Sequence, residues 1–442
     1  MSYGDFGKNL RICVFGASHA EAVGVRMEGF PADFTVDEAA LGAFLARRSP
    51  GRNAWSSARK EPDLPVFSEG LKDGRTTGGP IVAIIPNKDV RSGDYETFRR
   101  IPRPGHADYT AYVRYGKGFD MRGGGPFSGR MTAPLTLAGG IALQYLKQRG
   151  IEVRARVKSI GSITDESGFD APVDTKDFPV SDEDKAAEMK ALIAACKEAG
   201  DSVGGTVECV VEGLPAGLGG PLFEGMEGRI SSIVFAIPAV KGIEFGAGFS
   251  AAEMKGSENN DAFTLEEGTV KTATNHAGGI LGGITDGMPL VFRAAFKPTP
   301  SIALPQKSVD LETMTETELR ISGRHDPCIV PRAVPVIEAA AALAVLDALS
   351  EEKEEAADRT ALRRKIDDVD RQLTALFIER MRISEKIGRW KKENNIPILD
   401  RQREEEKLKA IQAVCPEELR EDVRTLYETL FTLSRNCQER ER

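Results

Sequence analysis

The chain has 442 residues, 41% hydrophobic and 29% charged, with a formal net charge of −8. That is enough apolar material for a large buried core, and the length points to two or more domains. The acidic balance gives no footprint for nucleic acid or an anionic membrane surface as partner, although local clusters of Arg and Lys can still hold small anionic substrates.

The opening MSYGDFGKNLRICVFG lacks the charged-then-apolar layout of a secretory signal. No apolar run approaches the roughly 20 residues that span a bilayer, so the expected location is the cytoplasm. Cysteines at positions 13, 196, 209, 328, 415 and 437 form no CxxC pair. They are expected to be reduced and structural, with no metal site.

In chain order, the β-type runs RICVFG (11–16), PIVAIIP (80–86), GTVECVVEGL (205–214) and PLVFRAAF (289–296) are interleaved with helical ones, LTLAGGIALQYLKQ (135–148) and DEDKAAEMKALIAACKEAG (182–200). Because strands and helices do not alternate evenly, the mix reads as α/β or α+β without a simple doubly wound sheet.

All four His stand in compact loops of this region: GASHA at His19, RPGHADYT at His106, TNHAGGILGG at His276 and GRHDPC at His325. One such His is most often a hydrogen-bonded structural residue, but four in Gly- or Pro-rich loops suggest a site built by loops. No HExxH or comparable spacing points to a metal. Basic residues cluster nearby: Arg47, Arg48 and Arg52 in ARRSPGRN, Arg59 and Lys60 in SARKEPD, and Arg122 and Arg130 in MRGGGPFSGRMT. Each alone reads as salt-bridged surface. Beside Gly-rich backbone they suit phosphate and carboxylate, because turn N–H groups and guanidinium forks both complement oxyanions.

Composition breaks near Ser350. Of 45 Gly, only Gly388 lies in the last 92 residues, whereas charged residues rise from 83 of the first 350 to 43 of those 92. These are two kinds of protein. The apolar AAAALAVLDALS (339–350) gives way to EEKEEAAD (351–358), so the expected division is a domain at 1–349, a linker at 350–357 and a domain at 358–442.

Positions 362, 366, 369, 373, 376, 380, 383, 387 and 390 step by alternating fours and threes, the spacing of one buried helical seam, and all are apolar except Arg380. A helix over 358–394 is about 50 Å long, too long for the remaining chain to cover, so it is expected to pack against a second copy. Pro397 should stop it. Asp400 should cap a second helix running to Val414, and Pro416 should sit in the first turn of a third carrying Leu419, Val423, Leu426, Leu430 and Leu433.

A guanidinium in an apolar seam is costly unless an anion meets it. Lys391 lies about 20° from Arg380 around the helix at about 100° per residue, and two cations on one face suit a dianion. The plainer alternative is an ion pair with a Glu of a neighbouring helix. Arg363, about 100° off that stripe, could reach the equivalent pocket of a partner subunit.

Through LRRKIDDVDRQL, ERMRISEKIGRWKK, ILDRQREEE and FTLSRNCQ, the tail from Thr360 to Gln438 resembles the all-helical chorismate mutase family. The resemblance implies a three-helix all-α domain that rearranges chorismate to prephenate without a cofactor. It places catalysis on Arg380, Lys391 and Gln438 and substrate contacts on Arg363, Asp400, Arg403, Glu404 and Ser434. Such a rearrangement needs only a held reactive conformer and charge stabilised at the ether oxygen. A rival reading keeps these helices as an oligomerisation or regulatory module without activity.

Through RPGHADYT, PAGLGGP, IPAVKGIEFGAGF, KGSENND, TNHAGGILGGITDG and GRHDPC, residues 1–348 resemble chorismate synthase. That implies an α+β fold, a β-α-β sandwich, and loss of phosphate and a C–H proton from 5-enolpyruvylshikimate 3-phosphate. Reduced FMN is the implied cofactor, with NADPH a candidate reductant. Catalytic roles fall on His19, His106 and Asp326, and substrate contacts on Arg48 and Arg130. Flavin contacts fall on Ser128, Ala239, Gly282, Lys297, Pro298, Thr299, Pro300, Ser301 and Arg324. Ala17 and Ala20 replace a common Glu and Gly of the family, and Pro126 and Phe127 a common Arg and Ser. The expected assembly is a homotetramer or homodimer.

Overall fold

The structure, a computed structural model, describes residues 2–51, 55, 62–88, 96–169, 171, 173, 178–321, 325–350, 359–413 and 415–440. It divides into two compact units, Met1–Lys353 and Glu354–Arg442. From position 351 to 357 the expected linker lies outside the described residues.

The first unit carries two five-stranded antiparallel sheets. One runs Ser2–Phe6, Arg11–Gly16, Ala22–Glu28, Ile81–Pro86, Val66–Glu69 in space. The other runs Val240–Phe245, Leu290–Phe296, Gly205–Glu212, Glu152–Ile160, Ile163–Thr164. Between them lie two helices packed on each other, Thr132–Lys147 against the first sheet and Val330–Leu349 against the second. The result is an α+β, β-α-β sandwich.

The sequence dictates that layering. Thr132–Lys147 and Val330–Leu349 are almost wholly apolar around their circumference, and a helix without a polar face must be covered on every side. Their crossing is close: a Cβ on Gly139 would stand 2.2 Å from that of Ala339. Strand Ile81–Pro86 shows the complementary period of two, with Ile81, Ala83 and Ile85 buried and their neighbours half-buried.

Two buried acids anchor the second helix, each paired as buried charge must be. Glu338 takes both Arg47 Nη atoms at 2.7 and 3.0 Å and the Ala155 N–H at 3.1 Å. Asp347 accepts from the N–H groups of Lys8, Asn9 and Leu10 at 2.8–2.9 Å and pairs with Arg229.

The second unit is three helices, Arg359–Glu393, Arg401–Ala413 and Arg420–Arg440. The long helix stops before the proline expected to end it. Asn395 adopts φ +56°, and the Ile396 N–H returns to the Lys391 carbonyl at 2.9 Å, a left-handed C-terminal closure. Asp400 caps the second helix, accepting from the Arg403 N–H at 3.0 Å. Pro416 is extended and precedes a short 3-10 turn, Glu417–Leu419, so the third helix begins at Arg420, later than expected.

The described helices of the second unit leave the apolar seam uncovered. Ile366, Val369, Leu373, Leu376, Ile383, Ile387 and Trp390 are each 41–63% exposed. The last helix instead packs on the adjacent stripe that holds Ser384 and Gly388. Gly388 permits the approach, since a Cβ there would meet the Gln438 Cα at 2.9 Å. No helix among the described residues is long and apolar enough to cross a membrane.

Candidate functional site

In the first unit a cavity of about 630 Å³ opens where loops and element ends converge. Its lining includes six cationic side chains, Arg48, Arg103, Arg130, Lys241, Lys297 and Arg332, against one carboxylate, Asp326. Phe127, Ile237, Val240, Phe296 and Val336 supply apolar wall. A cavity this positive, with an apolar wall, suits an anion beside an aromatic ring system.

Each cation is positioned by a separate element. Arg48 ends the helix Glu38–Arg48, Arg130 sits in the 3-10 turn Gly129–Met131, and Arg332 lies in the first turns of Val330–Leu349. Asp63, fully buried, pairs with Arg48 at 3.0 Å, with Arg130 and with the Ser49 hydroxyl at 2.8 Å. Burial alone would raise the Asp63 carboxyl, but the two guanidinium charges and these hydrogen bonds hold it below the usual carboxylate range. Burial, with Arg332 and Arg130 adding to it against the pull of Asp63, brings Arg48 down to about 10. It remains a cation at neutral pH. Its Nε is buried with no hydrogen-bond partner among the described residues.

Arg332 donates to Asp326 at 2.5 Å and to the Arg48 carbonyl at 2.9 Å. Lys297 donates to the Gly105 carbonyl at 2.7 Å. Burial and the neighbouring Lys241 push its ammonium below its ordinary value. Ala239 stands at φ +77°, a conformation that side chains rarely adopt, and its carbonyl accepts from the Lys297 N–H at 2.9 Å.

His106 precedes the helix Asp108–Tyr115. Its Nδ1 lies 2.6 Å from Asp108 Oδ1, and Arg103 Nη2 stands 3.1 and 3.3 Å from its two ring nitrogens. Arg103 also donates to Asp108 Oδ2 through Nε at 2.7 Å and to the Ser301 hydroxyl at 3.1 Å. Burial would raise the Asp108 carboxyl, yet hydrogen bonds from Arg103 and His106 hold it well below the usual range.

Of the residues singled out in the sequence, the cavity brings together Arg48, His106, Ser128, Arg130, Ala239, Lys297, Thr299, Pro300, Ser301 and Asp326. His19 does not line it. It stands behind Gly123, where a Cβ would fall 2.0 Å from its Nδ1. Pro298 is also off the lining, and Gly282, at φ +62°, turns the hairpin of Ile280–Leu281 and Ile284–Thr285, which explains a glycine without a ligand. Arg324, Arg52, Arg59 and Lys60 lie outside the described residues. Arg47 and Arg122 are taken by Glu338 and Asp120. His276 sits in a loop organised by Asp261, away from the lining, whereas His325 joins it.

Arg103, Asp108, Lys241, Arg332 and Asp63 were not anticipated. Arg103 and Asp108 flank His106 inside RPGHADYT, and Asp63 closes SARKEPD. The available signal was a carboxylate beside a basic cluster, which only the fold turns into a pairing.

In the second unit, Arg380 donates to the Leu430 carbonyl at 3.1 Å and to the Ser434 hydroxyl. Burial lowers its guanidinium from the ordinary value. No carboxylate of a neighbouring helix pairs with it among the described residues, so the plain ion-pair alternative is not what holds it. Lys391 donates to the Ile398 carbonyl at 2.6 Å. Ser434 and Gln438 are buried, and Gln438 Oε1 has no partner among the described residues. Arg435 grips Glu404 with 2.6 and 2.7 Å contacts. The Arg403 side chain is exposed. Arg363 lies on the long helix, with its side chain outside the described residues.

Residues 10–350 match the family "Chorismate synthase", and residues 362–439 match "Chorismate mutase type II". A chorismate synthase of Thermococcus gammatolerans is 48% identical over 352 residues, covering 78% of this chain and 98% of the relative. One of Lancefieldella parvula is 45% identical over 363 residues, covering 78% and 95%. A solved structure titled "Crystal Structure of Chorismate Synthase" superposes with a TM-score of 0.60 at 26% identity, covering 82% of this chain and 98% of that one. Both site constellations thus sit inside matched regions, and the chain belongs to the chorismate synthase family, joined to a type II chorismate mutase domain as a bifunctional enzyme.

Proposed function

We propose that the cavity of the first unit binds 5-enolpyruvylshikimate 3-phosphate against reduced FMN, and that the second unit rearranges the chorismate released. The observation that carries this is the excess of cation in the cavity: Arg48 and Arg130 share one counter-ion, Asp63, while Lys241 and Lys297 line the same cavity as neighbouring cations. Such an excess suits phosphate and carboxylate groups.

The residues present fit a flavin. The apolar wall accepts a planar ring, and Lys297, Thr299 and Ser301 supply polar contacts for a phosphate and a carbonyl edge. When bound, reduced flavin supplies electron density that assists loss of phosphate, with no net redox change. Around it, Arg48 and Arg130 hold the substrate's anionic groups, His106 handles a proton at Nε2, and Asp326, steadied by Arg332, accepts the proton leaving carbon. His19 acts from behind Gly123, by positioning. NADPH as reductant remains part of this reading. The six cysteines form no disulfide among the described residues, and the location proposed is a reducing compartment, the cytoplasm.

In the second unit Arg380, Lys391 and Gln438 fix the substrate's carboxylates and ether oxygen, and Ser434, Asp400, Arg403, Glu404 and a partner's Arg363 complete the pocket. A second copy covers the exposed seam. Its length and exposure favour a copy of this chain, because the same 4-3 spacing then meets itself. We take residues 350–357 as the joint between the units.

Flavin titration tests the cofactor placement. Lys297→Ala should bind FMN about tenfold or more weakly than wild type, the loss of one charge-assisted contact. Equal affinity contradicts it.

A further inference from the structure

We propose that Asp108 is a positioning residue of the synthase reaction, which fixes His106 as its Nδ1–H tautomer and so leaves Nε2 as the proton-handling nitrogen. The argument is one of donors and acceptors. Asp108 is buried and receives two contacts from the Arg103 side chain and one from the Arg103 N–H at 3.0 Å. A carboxylate so paired stays ionised and can only accept. The 2.6 Å contact with His106 Nδ1 therefore requires the proton on Nδ1.

The remaining nitrogen takes the longer of the two Arg103 Nη2 contacts, at 3.3 Å, and lies beside a glycine. A Cβ on Gly124 would stand 3.3 Å from His106 Nε2, and Gly124 at φ +86° is in backbone that favours glycine. Charged groups at this ring are Arg103 and Asp108 from its own loop, with Lys297 held at the nearby Gly105 carbonyl. Among these groups Asp108 is the acid in direct contact with the ring.

The role resembles that of any buried carboxylate oriented on a working imidazole, where loss of the charge leaves geometry but removes the correct tautomer. Arg103 is the second support, since it donates to both Asp108 oxygens and cannot itself accept a proton from the ring.

This inference rests on the proposed proton-handling role of His106. Chorismate formation by Asp108→Asn should fall about 100-fold or more in kcat with KM little changed. In a His106→Ala background the same substitution should cost nothing further. Additive losses, or a change confined to KM, overturn it. A normal Asp108→Asn beside an impaired His106→Ala sinks the Asp108 inference alone, whereas full activity of His106→Ala removes the role of His106 and the inference with it. Should Asp108→Asn fail to fold, the wild type still decides. The chain has four His, so solid-state 15N spectra of histidine-labelled enzyme, assigned with His106→Gln, should show the neutral ring of His106 protonated at Nδ1. Protonation at Nε2 overturns it.

Discussion

Arg380 of the long helix donates to the hydroxyl of Ser434 on the last helix, a polar tie within an apolar helix pair. A half-buried cation held, among the described residues, by neutral oxygens leaves its charge uncompensated, which is poor design for stability and good design for meeting an anion.

Arg380→Leu should therefore cut prephenate formation from chorismate by about 10²–10³-fold, leave chorismate formation intact, and preserve or raise the stability of the helical unit. Steady-state assays of both reactions with thermal melts check it. Unaltered prephenate formation would favour the inactive-module reading.

Asp63 bears the opposite charge for two guanidinium groups at once. Asp63→Asn leaves Arg48 and Arg130 facing each other, and should destabilise the first unit by about 3–5 kcal/mol, the cost of breaking a buried pair from one side. Denaturant titration of wild type and variant measures it.

Acid should unfold the first unit through these same carboxyls. Asp63 and Asp108 both titrate below their unfolded value in the native state. Their contribution is thus complete above about pH 4, the unfolded value, and is lost as pH falls through the lower native values. Melting temperatures recorded downward from pH 6 should drop below pH 4, and less steeply in Asp63→Asn.

The exposed seam predicts assembly. Ile383→Lys, placed on it, should shift the protein toward smaller species in sedimentation velocity and lower prephenate formation in parallel, if the partner's Arg363 completes the pocket. Unchanged mass contradicts the seam as an interface.

Much of this was legible in the sequence, for physical reasons. Strands such as Ile81–Pro86 announce themselves by alternation, and the two central helices by apolar composition around their whole circumference. The break near Ser350 follows from glycine and charge alone. Asp400 as a cap was readable, because an Asx oxygen serves the N–H three residues on. Asn395 as the helix stop was not, since the more obvious breaker, Pro397, stands two positions later. Loop geometry was the least legible. The positions of His19 behind Gly123 and of Gly282 on a hairpin depend on backbone paths that carry no periodicity. Asp63 escaped notice because its partners Arg48 and Arg130 lie 15 and 67 residues away in sequence and meet it only through the fold.

The most direct test supplies purified protein with 5-enolpyruvylshikimate 3-phosphate and reduced FMN and follows both products. Prephenate should appear after chorismate, in amounts matching the phosphate released. Chorismate accumulating unconverted would contradict the bifunctional account.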